Sequence, residues 1–281
     1  MIRLLAFDLD GTLLDRQKQI RPSSLTAIRR AADAGAAVAL CSGRNHADAV
    51  CIASQLGLPC WSITANGAYL GHTAQSAPLA SWPLPAGLAA QVVAVSRRLD
   101  GCVCVYTPHV EFNDARYETI VEAALREGYP TFCNPDKAEH CVTDPAQWPA
   151  ILAQAGADLM KCVILPPDLV RFDALMEALQ AMPGLRVTTS VMFSGEVPSI
   201  EVNAAGVSKG TALAALQAHL GISRAETMAF GDSQNDLDML AQAGTAVAMG
   251  NALPEVRARA TFVTGSNCAD GIADALHAYG L

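Results

Sequence analysis

The chain is poor in charge. Asp, Glu, Lys and Arg make up 16% of its 281 residues, against 51% hydrophobic residues, the reverse of a disordered composition. The formal net charge is −8 and no basic run interrupts it. That argues against nucleic acid and against an anionic membrane as partners, since both need clustered Lys and Arg. No apolar stretch is a credible transmembrane helix. The apolar start has the hydropathy of a signal core, but Asp8 and Asp10 break it and no small-residue cleavage site follows. No CxxC pair marks a zinc site. The nine cysteines are scattered, and Cys102 and Cys104 form only a CxC, which on a strand packs as two small apolar side chains on one face. The six histidines, His72, His109 and His140 among them, show no ligand spacing and read as surface or internally satisfied residues. Internal repeats and low-complexity tracts are absent. These features predict a soluble protein of a reducing cytoplasm. No long exposed apolar stripe is evident, and the sequence does not set the oligomeric state.

What is present alternates. The length suits one large or two ordinary domains. An apolar strand over residues 4–8 is followed by a helix from Pro22 to Ala34, with proline suited to its first turn and Gly35 to its end. A strand over Ala36–Cys41, a helix over His46–Leu56 and a strand over Trp61–Ala65 come next, then the turn signal Asn66-Gly67. Helices between apolar, non-alternating strands argue for a parallel sheet covered on both faces. From Ser81 to about Asn203 the helices lengthen around strands such as Cys102–Tyr106, Met160–Leu165 and Arg186–Thr189. From Ser208 the first rhythm returns, with strands over Thr227–Phe230 and Thr245–Met249. The simplest architecture is one α/β domain with a second α/β domain inserted after the Asn66-Gly67 hairpin.

Four polar stations follow apolar strands or open helices. In an open parallel sheet, ligands bind in the crevice beyond the carboxyl ends of the strands. The first station is Asp8-Leu9-Asp10-Gly11-Thr12, where side chains two apart on an extended chain face one volume. Two such acids form a metal site, a nucleophile beside a general acid, or both. The second is Ser42-Gly43-Arg44, a hydroxyl and glycine-freed amides at a helix start, which suit a phosphate. The third is Lys209, at a helix start where a lysine opposes its own helix dipole and so points to an anion. The fourth is Gly231-Asp232-Ser233-Gln234-Asn235-Asp236, whose carboxylates suit a hard cation with oxygen ligands. Together these parts fit Mg²⁺-assisted phosphoryl transfer. Asp236 has a second reading as a first-turn helix acid, Ser42 as a helix cap, and Asn66 as a turn residue that also faces the site. Arg44 reads equally as a substrate contact or an ion-pair partner. Glu196, in a loop of the insertion, reads as a solvated acid.

These stations, in this order and spacing, resemble the haloacid dehalogenase-like phosphatases. The hairpin and the long insertion before Lys209 are similar to the branch with an α/β cap, the Cof-type sugar-phosphate phosphatases, and the resemblance covers essentially the whole chain. It implies a Rossmann-like, doubly wound parallel-sheet core at residues 1–81 and 204–281 and an α/β cap at 82–203. It implies that Asp8 is the nucleophile and forms an aspartyl-phosphate, and that Asp10 is the acid and then the base. Asp8, the backbone carbonyl of Asp10 and Asp232 would hold Mg²⁺, with Ser233 and Asp236 in support. Ser42, Gly43, Lys209, Asn235 and the Leu9 amide would bind the phosphoryl group. Ser42 stands where the family usually has Thr. The implied substrate is a small phosphorylated metabolite, a sugar phosphate by family. Two rivals remain open: a phosphomutase of hexose phosphates, and a ligand-binding protein on the same scaffold.

Overall fold

The computed structural model describes residues 1–129, 134, 137–192 and 197–281, which leaves Glu196 outside the described residues. The chain opens with β1 (Leu4–Asp8), α1 (Pro22–Asp33), β2 (Ala37–Cys41), α2 (His46–Leu56), β3 (Trp61–Thr64), β4 (Tyr69–His72) and β5 (Ala80–Ser81). It continues through α3 (Ala86–Arg98), β6 (Cys102–Tyr106), β7 (Val110–Asp114), α4 (Arg116–Arg126), β8 (Ala138–Val142), α5 (Trp148–Ala155), β9 (Lys161–Leu165) and α6 (Leu169–Gln180). β10 (Leu185–Met192), β11 (Val197–Ala204), α7 (Lys209–Leu220), β12 (Thr227–Gly231), α8 (Leu237–Gln242), β13 (Thr245–Ala248), α9 (Pro254–Arg257), β14 (Phe262–Val263) and α10 (Gly271–Ala278) complete it. The elements fall into two compact units, Met1–Ser81 with Ser208–Leu281, and Trp82–Val207.

The first unit is a mixed sheet in the order β14-β13-β12-β1-β2-β3-β4-β5. Its first six strands in that order run parallel, and β4 and β5 add antiparallel pairs at one edge. β1 is buried throughout, which explains why Leu4-Leu5-Ala6-Phe7 is a continuous apolar run rather than an alternating one. The register sets Asp8 opposite Cys41 and Phe7 opposite Phe230, whose rings stack at 4.7 Å between centroids. The carboxyl ends of β1, β2, β3 and β12 therefore share one edge.

Local chemistry places the helices that start at that edge. The Asn45 side chain accepts the Asp48 amide and caps α2, which ends at Gly57 in a left-handed conformation. Ser208 and Thr211 form a reciprocal capping box that starts α7 at Lys209. The expected Asn66-Gly67 hairpin joins β3 to β4 but is not a two-residue turn. Ala65, Asn66 and Gly67 all have positive φ, and a 3-10 turn spans them. The reason is docking: the Ala65 and Asn66 amides donate to the Arg44 and Ser42 carbonyls at 2.7 and 3.0 Å.

Among the described residues the second unit has a six-stranded sheet in the order β10-β11-β9-β6-β7-β8. Its main core gathers Val103 and Val105, Ile164, Ile200 and Val202 from the strands with Val92, Trp148, Leu175 and Leu179 from the helices. Cys102 and Cys104 pack with Tyr106, Val163 and Leu165 in a separate cluster, as small apolar side chains of one strand face.

Candidate active site

The first station turns sharply. β1 ends at Asp8, and Thr12 and Leu14 both donate their amides back to the Leu9 carbonyl, at 3.3 and 2.9 Å. The extended spacing expected to aim Asp8 and Asp10 at one volume is therefore broken at Leu9. Each carboxylate has its own partners. The Lys209 ammonium donates to Asp8 Oδ1 at 2.6 Å and to Asp236 Oδ1 at 2.7 Å. Asp10 is held by Arg44, whose Nε and Nη2 reach its two oxygens at 2.7 and 2.8 Å, and by Lys18 Nζ at 2.8 Å.

The fourth station is built around Asp236, which is fully buried. Its Oδ2 accepts the amides of Asp232 and Ser233, both at 3.0 Å, so the acid folds its own loop while its other oxygen holds Lys209. Asp232 accepts the Thr12 hydroxyl at 2.9 Å and the Ser233 hydroxyl at 3.1 Å. Gly11 lies against it at φ +87°, and a side chain there would collide with the Asp232 carboxylate. Asn235 is half-buried, with its amide nitrogen 3.5 Å from Asn66 Oδ1. Ser42 Oγ accepts the Arg44 amide at 3.1 Å and keeps its own proton to donate. Gly43 beside it is half-buried, and Leu9 is fully buried.

The charges do not balance within this cluster. Burial raises the Asp8 pKa well above its ordinary value, with the Asp236 and Asp232 charges adding to it and Lys209 opposing. Burial and the Asp236 charge push Asp232 up to about 7, against the Thr12 and Ser233 hydroxyls. Burial alone would lower the Lys209 ammonium, but Asp236 and Asp8 hold it above its ordinary value. Asp10 is the opposite case. Burial would raise it, yet the Arg44 guanidinium and the Lys18 ammonium keep it well below the carboxylate range.

Oxygens of Asp8, Asp232 and Asp236 lie within 4.8 Å of one another, and among the described residues the Lys209 ammonium is the cation that pairs with them. That donor set, hard oxygens with excess negative charge, fits a divalent cation. The Asp236 oxygens are taken up by Lys209 and two amides, which leaves Asp8 and Asp232 as the freer carboxylates. Among the described residues no histidine joins this group; His46, for one, is buried with its Nδ1 2.8 Å from Ser62 Oγ. Cys41 is buried beside the site, and burial pushes its thiol pKa up, so it supplies no thiolate nucleophile.

Three of the partners escaped the sequence reading. Thr12 was legible as part of DLDGT, but its bond to Asp232 depends on a residue far along the chain. Lys18 and Asp48 carried no motif. Asp48 is buried on the first turn of α2 with Oδ2 3.4 Å from Arg44 Nη1. Arg44 is thus an ion-pair partner in this structure.

A family model for haloacid dehalogenase-like hydrolases matches residues 5–276, and the chain belongs to that family. A relative called HMP-PP phosphatase, from Yersinia pseudotuberculosis serotype I (strain IP32953), is 32% identical over 257 residues, 92% of this chain and 87% of that protein. A haloacid dehalogenase-like hydrolase from B. subtilis has a structure similar at a TM-score of 0.84 and 25% identity, over 98% of this chain and 99% of that one. A subclass IIB sugar phosphatase of the same superfamily shares the fold at a TM-score of 0.80 and 22% identity, over 99% of each chain. The protein is accordingly an enzyme, a phosphatase of this superfamily. Among the described residues no helix is long and apolar enough to cross a membrane.

Proposed function

We propose that the protein is a cytoplasmic, Mg²⁺-dependent phosphatase of small organic phosphate monoesters that works through an aspartyl-phosphate on Asp8. The observation that carries this reading is the buried Asp8 held by Lys209 beside Asp232 and Asp236 at the carboxyl edge of the sheet. Lys209 occupies Asp8 Oδ1, so Oδ2 is assigned as the attacking oxygen. It forms a bond to phosphorus as the bond from phosphorus to the leaving oxygen breaks. Asp10 gives a proton to that oxygen. A water then attacks phosphorus, Asp10 takes its proton, and the bond to Asp8 breaks to release phosphate. Asp10 gains a proton from solvent as the substrate binds and returns one as phosphate leaves, so the cycle balances.

Asp10 is ionised at rest, and an arriving phosphate dianion favours its protonation because like charges oppose one another. Asp8 and Asp232, with the Asp10 carbonyl, would hold Mg²⁺, supported by Ser233 and Asp236. The ion would offset the repulsion between carboxylates and phosphate dianion, a severe barrier at about 3–4 Å. Ser42, Gly43, Asn235, the Leu9 amide and Lys209 are assigned to the phosphoryl oxygens. Asn66 is assigned to orient Asn235. The segment 82–203 is assigned as the cap that contacts the organic part of the substrate.

HMP-PP and a set of sugar phosphates are the first substrates to test, given the name of the relative and the family resemblance. Phosphate release is measured with Mg²⁺ across such a panel. Asp8→Asn is expected to lower it by roughly a thousandfold or more. An Asp8→Asn protein that keeps the wild-type rate overturns the mechanism.

A further inference from the structure

Lys18 stands in a conformation that a lysine does not favour. Its φ is +60°. It occupies the turn between Asp15 and Gln19, where the Asp15 amide donates to the Gln19 carbonyl at 2.9 Å and the Lys18 amide donates to the Asp15 carbonyl at 3.0 Å. Asp15 Oδ1 further accepts the Gln17 and Gln19 amides at 2.9 and 3.0 Å. These backbone bonds set the turn, and Gly or Asn would occupy its left-handed position with less strain. Backbone preference therefore does not account for a lysine there. The side chain does, since Nζ lies 2.8 Å from Asp10 Oδ1 and only 16% of the side chain is exposed.

The Asp10 carboxylate is gripped from two directions. Arg44 supplies a fork, one nitrogen to each oxygen. A fork fixes the distance and the shared plane. Lys18 adds a third charged bond to one oxygen from a second direction. Arg44 is itself held, through its amide by Ser42 Oγ at 3.1 Å and through Nη1 by Asp48 at 3.4 Å. Two cations face two carboxylates here, Lys18 and Arg44 against Asp10 and Asp48, so the set carries no surplus positive charge for a second anion.

We propose that Lys18 is a positioning residue of the phosphatase reaction, fixing the orientation in which Asp10 exchanges its proton. This rests on the phosphatase reading above. Lys18→Gly removes the ammonium and relieves the backbone. It is expected to lower kcat about tenfold on 4-nitrophenyl phosphate with KM within twofold and the thermal midpoint unchanged or higher. Lys18→Arg is expected to restore most of the rate. In an Asp10→Asn background, Lys18→Gly is expected to cost less than a further twofold, because residues that act through one another are non-additive. The inference is overturned if the two substitutions multiply in full, or if Lys18→Gly keeps the wild-type rate. A drop in midpoint that parallels the loss of rate and persists in Lys18→Arg overturns it too. A wild-type chain that releases no phosphate with Mg²⁺ sinks the phosphatase reading itself, whereas an active wild type with an unaffected Lys18→Gly sinks this inference alone.

Discussion

Two acids two residues apart have opposite electrostatic surroundings. Asp8 and Asp232 are raised above the ordinary carboxylate value, Asp232 to about 7, and Asp10 is lowered. The raised pair has a pH consequence in the metal-free protein. The folded state holds protons that the unfolded chain releases near pH 3.8, so stability from this source is full below that value. It is lost as pH rises through about 7. A bound divalent cation displaces those protons and stabilises only the ionised site. The rise in thermal midpoint on adding Mg²⁺ to chelator-treated protein should therefore be larger at pH 7.5 than at pH 5.5. Equal rises at both would remove Asp8 and Asp232 from the ion's ligands. At this scale the sequence was informative where a residue type had no local use. Lys209 opposes its own helix, and it does bond acids elsewhere in the chain. It was silent where the partner is set by a turn, as for Asp10, because alternation along a strand no longer applies once the chain leaves β1 at Leu9.

Strands and helices deliver these groups through close backbone approaches. Gly67 and Gly35 have the same φ of +99°. A side chain at Gly35 meets nothing within 4 Å, whereas one at Gly67 would collide with the Ser208 carbonyl at the start of α7. Replacing Gly35 by Ala should cost only the left-handed backbone, about 1–2 kcal/mol. Gly67→Ala should cost more and also lower kcat, because moving Ser208 moves Lys209. Equal losses of stability by denaturant titration, with kcat untouched, would separate Gly67 from the site. Element prediction followed the same logic of what is local. α2 is found over His46–Leu56, the range read from the sequence, and the structure adds the Asn45 cap at its start. β7 and β8 were not anticipated. β7 buries Glu111 and Asn113, polar residues that do not read as a core face, and β8 is largely exposed.

Along the whole chain, a continuous unit interrupts a discontinuous one. Residues 82–207 contain a complete sheet and a core with Val103, Ile164, Leu175 and Val202 from its strands and helices. That fragment, expressed by itself, is predicted to unfold in one cooperative thermal transition and to release no phosphate. A fragment without such a transition would mean that its core is insufficient alone. The first unit has no such independence, because β1 pairs with β12 from the other side of the insertion.

That pairing has a consequence in time. Phe7 meets Phe230 about 220 residues later. At a synthesis rate of roughly 5–20 residues per second, the ribosome takes on the order of 10–45 s to supply the second strand. Through that interval β1 can pair with β2 but has no neighbour on its other edge, and an open strand edge invites pairing with other chains. The segment made in between can fold first, as domains do during translation. The nascent chain thus carries a finished second unit behind an unfinished sheet, and the stretch that follows that unit closes the half that was begun first.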